Sequence, residues 1–127
     1  MNELQTLLRL AVSTAHRLAD KVFEAEDYLA DRPALARRIG NVGASLLVEV
    51  STACDGVQVQ DYRVRMEAVA ALREARVLVG KVRHAVSLDC SLIRLELREA
   101  IMSDCDELLA LLLASTAEAM RVRTPVR

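Results

Sequence analysis

The stretch Arg37 to Val50, "RRIGNVGASLLVEV", decides the fold. A phosphate-cradling loop around its two glycines makes the chain a nucleotide binder, whereas a helix running through them makes it all-α. A P-loop needs G-x-x-x-x-G-K-[ST], and a dinucleotide fingerprint needs G-x-G-x-x-G after a strand. "GNVG" fits neither. Leu35, Ile39, Val42, Leu46, Val50 and Ala53 step by three and four, the period of an amphipathic helix. Gly40 and Gly43 then fall inside that helix, close to Ala36, Ala44 and Ser45. A helix loses about 1 kcal/mol for each glycine relative to alanine, which close packing by a neighbouring helix can offset. Both glycines are therefore expected to be close-packing positions.

Outward from this segment the same period recurs. Leu4, Leu8, Ala11, Ala15, Leu18, Val22, Ala25 and Leu29 form one seam, predicting helix one over about 3–29. Asp31 is the expected N-cap of helix two, with Pro33 in its first turn, where a missing N–H costs nothing. Helix two covers about 33–54 and is expected to close at Gly56 in the left-handed conformation. The loop that follows contains "VQVQ". Asp61 caps helix three over about 61–86, with Val64, Ala68, Leu72, Ala75, Val79, Val82 and Val86 on its apolar side. The hinge "VSLDCS" offers Ser87, Asp89 and Ser91 as alternative caps for helix four, over about 89–120. No segment reads as a strand. Four long helices with short connections predict one all-α domain over 1–120, an antiparallel up-down four-helix bundle, followed by a basic tail over 121–127.

Helix four is apolar on two stripes. One carries Leu92, Leu95, Met102, Leu109, Leu113 and Met120, and the other Leu97, Ile101, Leu108, Leu112 and Ala119. A bundle helix needs one such stripe for its own core. The surplus implies homo-oligomerisation, because a large exposed apolar patch is a liability in a soluble protein. Leu97, Ile101, Leu108 and Leu112 are taken as the candidate interface.

The chain has 127 residues, 53% of them hydrophobic and 28% charged, a mixture too apolar for disorder. Its run from Leu108 to Ala117 is about half the roughly 20 residues that cross a bilayer, so no membrane segment is expected. "MNELQTLLRL" has an acid where a signal peptide carries its basic region, and a cytoplasmic location is expected. Cys54, Cys90 and Cys105 lack any C-x-x-C and read as free thiols. Phe23, Tyr28 and Tyr62 are the aromatic residues, too few for a base-stacking platform.

Chemistry is sparse. The residues three before His16 and His84 are Ser13 and Lys81, so the E-x-x-H pairs of a di-iron bundle are missing. His16 and Asp20 stand one turn apart without a third ligand. No G-x-S-x-G or comparable nucleophile motif occurs. No catalytic residue, metal or cofactor is expected.

Charge is unevenly placed. From Asp61 to Val86 there are six Lys/Arg against three Asp/Glu, and from Leu88 to Glu118 two against seven. Arg65, Arg76 and Arg83 fall on one line of a helical projection, with Arg73 beside it. Such a row, with Arg121, Arg123 and Arg127, can track phosphates of RNA or DNA. It can equally pair with acidic helix four or another subunit, and the whole-chain charge of −1 favours pairing.

The motif order "AHRLADKVF" at 15–23, a Pro-containing turn, "RRIGNVGAS", "DYRVRMEAVAALREA" and "DELLALLLAS" resembles a bacterial four-helix-bundle family. That family includes proteins encoded in 23S rRNA intervening sequences and the accessory variability (Avd) proteins of diversity-generating retroelements. The resemblance implies a non-catalytic bundle assembled as a pentameric ring, and in the Avd branch nucleic-acid and reverse-transcriptase binding through basic surfaces. Helix two reads "SLLVE" where the family carries Ser-x-Pro-x-Asn, and the strong positive charge of Avd is absent, so no functional residue is carried over. The expected function is a self-assembling scaffold or interaction module. A nucleic-acid-binding accessory role through Arg65, Arg73, Arg76 and Arg83 is the second expectation.

Overall fold

The spacing of three and four is realised as four α-helices: α1 (Glu3–Asp27), α2 (Pro33–Gly56), α3 (Tyr62–Leu88) and α4 (Leu95–Arg123). They come from a computed structural model that describes residues 3–56, 61–88 and 92–123. No strand occurs among the described residues, and no helix among them is long and apolar enough to cross a membrane.

Contacts along the helices set their directions. Gly43 lies against Val22, and Gly40 against Glu26, so α2 runs back along α1. Gly56 lies against Val64 and Ala68, turning α3 against α2 in the same way. Arg83 meets Asp106, and the Ser87 hydroxyl is 3.9 Å from the Met102 sulfur, which makes α4 antiparallel to α3. Lys21 meets Asp104, and Glu24 meets Arg94, which closes α4 onto α1. The result is an up-down four-helix bundle with a single core.

Every residue of the α1 seam is buried, from Leu4 to Leu29. Ile39, Leu46, Val50 and Ala53 fill the core from α2, and Leu72, Ala75, Val79 and Val82 from α3. Leu35, Val42 and Val64 of the expected seams are half-buried. Helix α4 contributes Leu97, Ile101, Cys105, Leu108 and Leu112. These include all four residues expected at an oligomer interface. They are inside the chain's own core, and the stripe left outside is the other one.

The helix ends differ from expectation in detail. Helix α1 stops at Asp27, and the Tyr28 and Leu29 amides donate to the Ala25 and Glu26 carbonyls, a tighter i→i−3 turn that keeps Leu29 buried. Arg32, not Asp31, precedes the first turn of α2: its carbonyl accepts from the Ala36 amide, and Pro33 is the first helical residue. Gly56 ends α2 without a positive φ. A Cβ there would stand 3.2 Å from the Ala68 Cβ, so this glycine serves close packing against α3, not a left-handed cap. Asp61 does cap α3, its Oδ1 accepting from the Arg63 and Val64 amides at 2.8 and 3.4 Å.

Helix α4 begins at Leu95, not near residue 89. Ile93 is buried, and its carbonyl accepts from Arg98 Nε at 3.0 Å, so the chain first dips into the core and then turns helical. The expected tail starts inside α4, which continues to Arg123. The "VQVQ" loop, Asp89 to Ser91 of the hinge with Cys90, and the end of the tail with Arg127 lie outside the described residues, as does the side chain of Arg123.

The glycines separate by what surrounds them. A Cβ on Gly43 would meet Val22 Cγ1 at 3.4 Å and Phe23 Cε1 at 3.6 Å, room for a methyl and nothing larger. Around Gly80 nothing lies within 4 Å. Gly43→Leu is therefore expected to destabilise by about 1–3 kcal/mol through overfilling, whereas Gly80→Ala should stabilise by up to about 1 kcal/mol through helix propensity. Urea unfolding followed by circular dichroism measures both. A neutral Gly43→Leu would show that the α1/α2 contact yields without loss.

Candidate functional site

The acids of α4 are divided between two neighbours. Toward α1, Lys21 Nζ donates to Asp104 Oδ2 at 2.6 Å, with the two side chains 29% and 12% exposed. About one turn on, Glu107 Oε2 accepts from Arg17 Nη2 at 2.7 Å and from the buried Thr14 hydroxyl at 3.0 Å. Those hydrogen bonds, Thr14's first and Arg17's second, hold the Glu107 carboxyl below its ordinary value. The stability this lends is present above the unfolded-state value, about 4.3, and is lost as pH falls through the lower folded one. Toward α3 there is the exposed Arg83–Asp106 pair at 3.0 Å. Within α4 itself, Arg121 pairs with Glu118.

The expected row on α3 is thus not uniform. Arg83 is held by Asp106. Arg65 is half-buried, and its Nε is buried without a hydrogen-bond partner among the described residues. Arg73 is exposed and Arg76 half-buried. One α3 arginine pairs with acidic α4, but more of the acids of α4 answer to Arg17 and Lys21 of α1. The charge sums of helices three and four pointed to a neighbour that Arg83 and Asp106 do pair across, but missed α1, because nothing local in the sequence announces which helix closes the ring.

The outer stripe of α4 leaves apolar side chains on the surface. Leu95 is 53% exposed and Leu113 45%, with Met102, Leu109 and Met120 half-buried between and beyond them. At 100° per residue these five fall within a narrow sector on the side that faces α3. Around Leu95 and Met102 the surface opens into a groove of about 550 Å³ that also takes in Glu99 and Asp106. A second, more enclosed cleft of about 450 Å³ lies between α2 and α3.

Cys105 is wholly buried, and desolvation, with Asp106 next, pushes its thiol up to about 12. Cys54 is half-buried and also raised, first by burial and then by Asp55. Raised thiols are poor nucleophiles, because the thiolate is the reactive form. His16 and Asp20 are both exposed, and no group of three His, Cys, Asp or Glu fit for a metal occurs among the described residues.

No family model matches this chain, and no curated protein and no solved structure matches it.

Two outcomes are expected from these arrangements. Lys21→Met strips Asp104 of its counter-charge in a largely buried place and should cost about 1–3 kcal/mol, while Arg17→Met, at an exposed pair, should move the urea midpoint little. Equal effects would mean that burial of Asp104 does not set the energy. In thiol alkylation at pH 8 with peptide mapping, Cys105 should stay unmodified in the native protein and react once denaturant is added. Modification at the native rate of an exposed thiol would contradict its burial.

Proposed function

We propose that this chain is a self-assembling, non-catalytic four-helix bundle acting as a scaffold or interaction module, with a pentameric ring as its assembled form. The exposed outer stripe of α4 carries this reading. With Leu97, Ile101, Leu108 and Leu112 consumed by the core, Leu95 and Leu113 stay exposed on the stripe and Met102, Leu109 and Met120 are half-buried along it, packed against the core. Removing such a row from water is worth about 25 cal/mol per Å² of apolar area, and a second copy is the partner always present at matching concentration. The resemblance of the motif order to the ring-forming bundle family supports the same reading. The absence of a nucleophile or ligand motif in the sequence supports a non-catalytic role.

The second reading, an accessory protein that holds RNA or DNA phosphates, draws on Arg73 and Arg76, which make no ion pair among the described residues. The engagement of Arg83 with Asp106 counts against it.

Light scattering coupled to size exclusion tests the first reading. The chain should run as a multimer of its 14.0 kDa mass at micromolar concentration, and Leu113→Glu should shift it toward monomer while leaving its helical circular dichroism intact. A monomeric wild type overturns the proposal. If fluorescence anisotropy instead detects generic RNA binding at low salt that disappears on changing Arg65, Arg76 and Arg83 to Glu, the second reading takes its place.

A further inference from the structure

The cleft between the start of α2 and the end of α3 joins an apolar floor to a basic rim. Ile39, Val42 and Val82 lie in its floor, and Arg38, Lys81 and His84 stand around it. All three rim residues are exposed, and none makes an ion pair among the described residues. The groove beside α4 has the opposite character. Leu95 projects there with Met102, flanked by Glu99 and Asp106. Arg98 lines it too, its Nε donating to the Ile93 carbonyl, and Asp106 is paired with Arg83 at its edge, so Glu99 is the acid of the groove that makes no ion pair among the described residues.

Two further facts relate the surfaces. They lie at one level of the bundle, since the cleft uses Lys81 to Ala85 of α3 and the groove uses Val86 and Ser87. They also sit on adjacent faces, α2/α3 and α3/α4, sharing α3 as their corner.

We propose that the groove edge of one copy, led by Leu95, seats in the α2/α3 cleft of the next, so that Glu99 faces Arg38 and Lys81 across a head-to-tail contact. This rests on the self-assembly reading above and names the surfaces through which it works. A head-to-tail contact builds a ring if it closes and a filament if each copy also steps along the axis. Surfaces at one level give no step. Adjacent faces of a four-helix bundle look outward about a right angle apart, so each copy is turned by roughly that angle from the last, and the ring closes at four copies for a full right angle and at five for a somewhat smaller turn. The charges fix which surface meets which, because groove against groove would oppose acids and cleft against cleft would oppose cations.

The test uses the whole chain. Wild type, Arg38→Glu with Lys81→Glu, and Leu95→Glu are compared by light scattering at matched concentration, with circular dichroism to confirm that each is folded. All altered positions are exposed. Both variants should fall from the assembled mass to that of the monomer. A mixture of isotopically light and heavy wild-type chains is then joined by a zero-length carbodiimide. Lys21 and Lys81 are the two lysines in the sequence, which keeps assignment simple. Lys81 should give mixed-label products with Glu99, whereas Lys21–Asp104 products should stay within one label. An assembled wild type whose mass survives both variants, or whose Lys81 gives no mixed-label product with α4, overturns this pairing and leaves self-assembly standing. A monomeric wild type overturns both.

Discussion

A ring of four helices made from one chain has three covalent corners and one open seam. Here the seam is α1 against α4, and the rest of the arrangement depends on its closing in one register. Apolar burial alone permits a helix to slide by a turn with modest loss, because leucine and alanine recur every three or four residues on both sides. The largely buried Lys21–Asp104 pair does not permit it. A slipped register strands a carboxylate away from water, which is strongly unfavourable. The exposed Arg17–Glu107 pair, with the buried Thr14 hydroxyl behind it, repeats the same register about a turn away with weaker consequence. Once α4 is fixed on α1, its other side must meet α3, and the apolar stripe it leaves outside is determined.

The fold was legible in the sequence because helical periodicity is a local property. The α1 seam can be read residue by residue, and all of it is buried, with Thr14 and Ala19 added to it by the packing. Asp61 could be read as a cap because its function needs only the next three residues. Other features were not legible, and the reasons are physical. Lys21 and Asp104 are 83 positions apart, so their pairing leaves no local trace. Two apolar stripes on helix four are visible in the sequence, but periodicity cannot say which faces inward. That choice belongs to the packing, and the stripe expected outside went in. The start of α4 was misplaced because candidate caps at Ser87, Asp89 and Ser91 compete with burial of Ile93, a tertiary effect. Gly56 was expected to bend the backbone. It brings two helices together instead, a role that glycine's missing side chain also permits and that sequence alone does not distinguish.

The surface features follow from this closure. Because acidic α4 spends Asp104 and Glu107 on α1, its face toward α3 keeps only part of its charge and more of its apolar character. Because α3 spends Arg83 on Asp106, its remaining unpaired cations lie elsewhere, Lys81 on the α2 side among them. The bundle therefore carries an apolar, mildly acidic face next to an apolar, basic one. In the proposed head-to-tail contact, this asymmetry is what would distinguish copies meeting in sequence from copies pairing about a two-fold axis.

The alanines of α1 bear on how such a sequence can drift. Ala11, Ala15, Ala19 and Ala25 are fully buried among Leu8, Leu18 and Val22, so at those four positions α1 puts little side-chain bulk between itself and its neighbours. A lineage can exchange leucine for valine or methionine on α4 and lose some stability at each step. At those four alanines of α1 there is nothing left to shrink, and every enlargement demands a vacancy that the neighbours do not hold. Change should thus accumulate on α4 and on the outer faces, while α1 remains the conservative spine against which the other helices are allowed to vary.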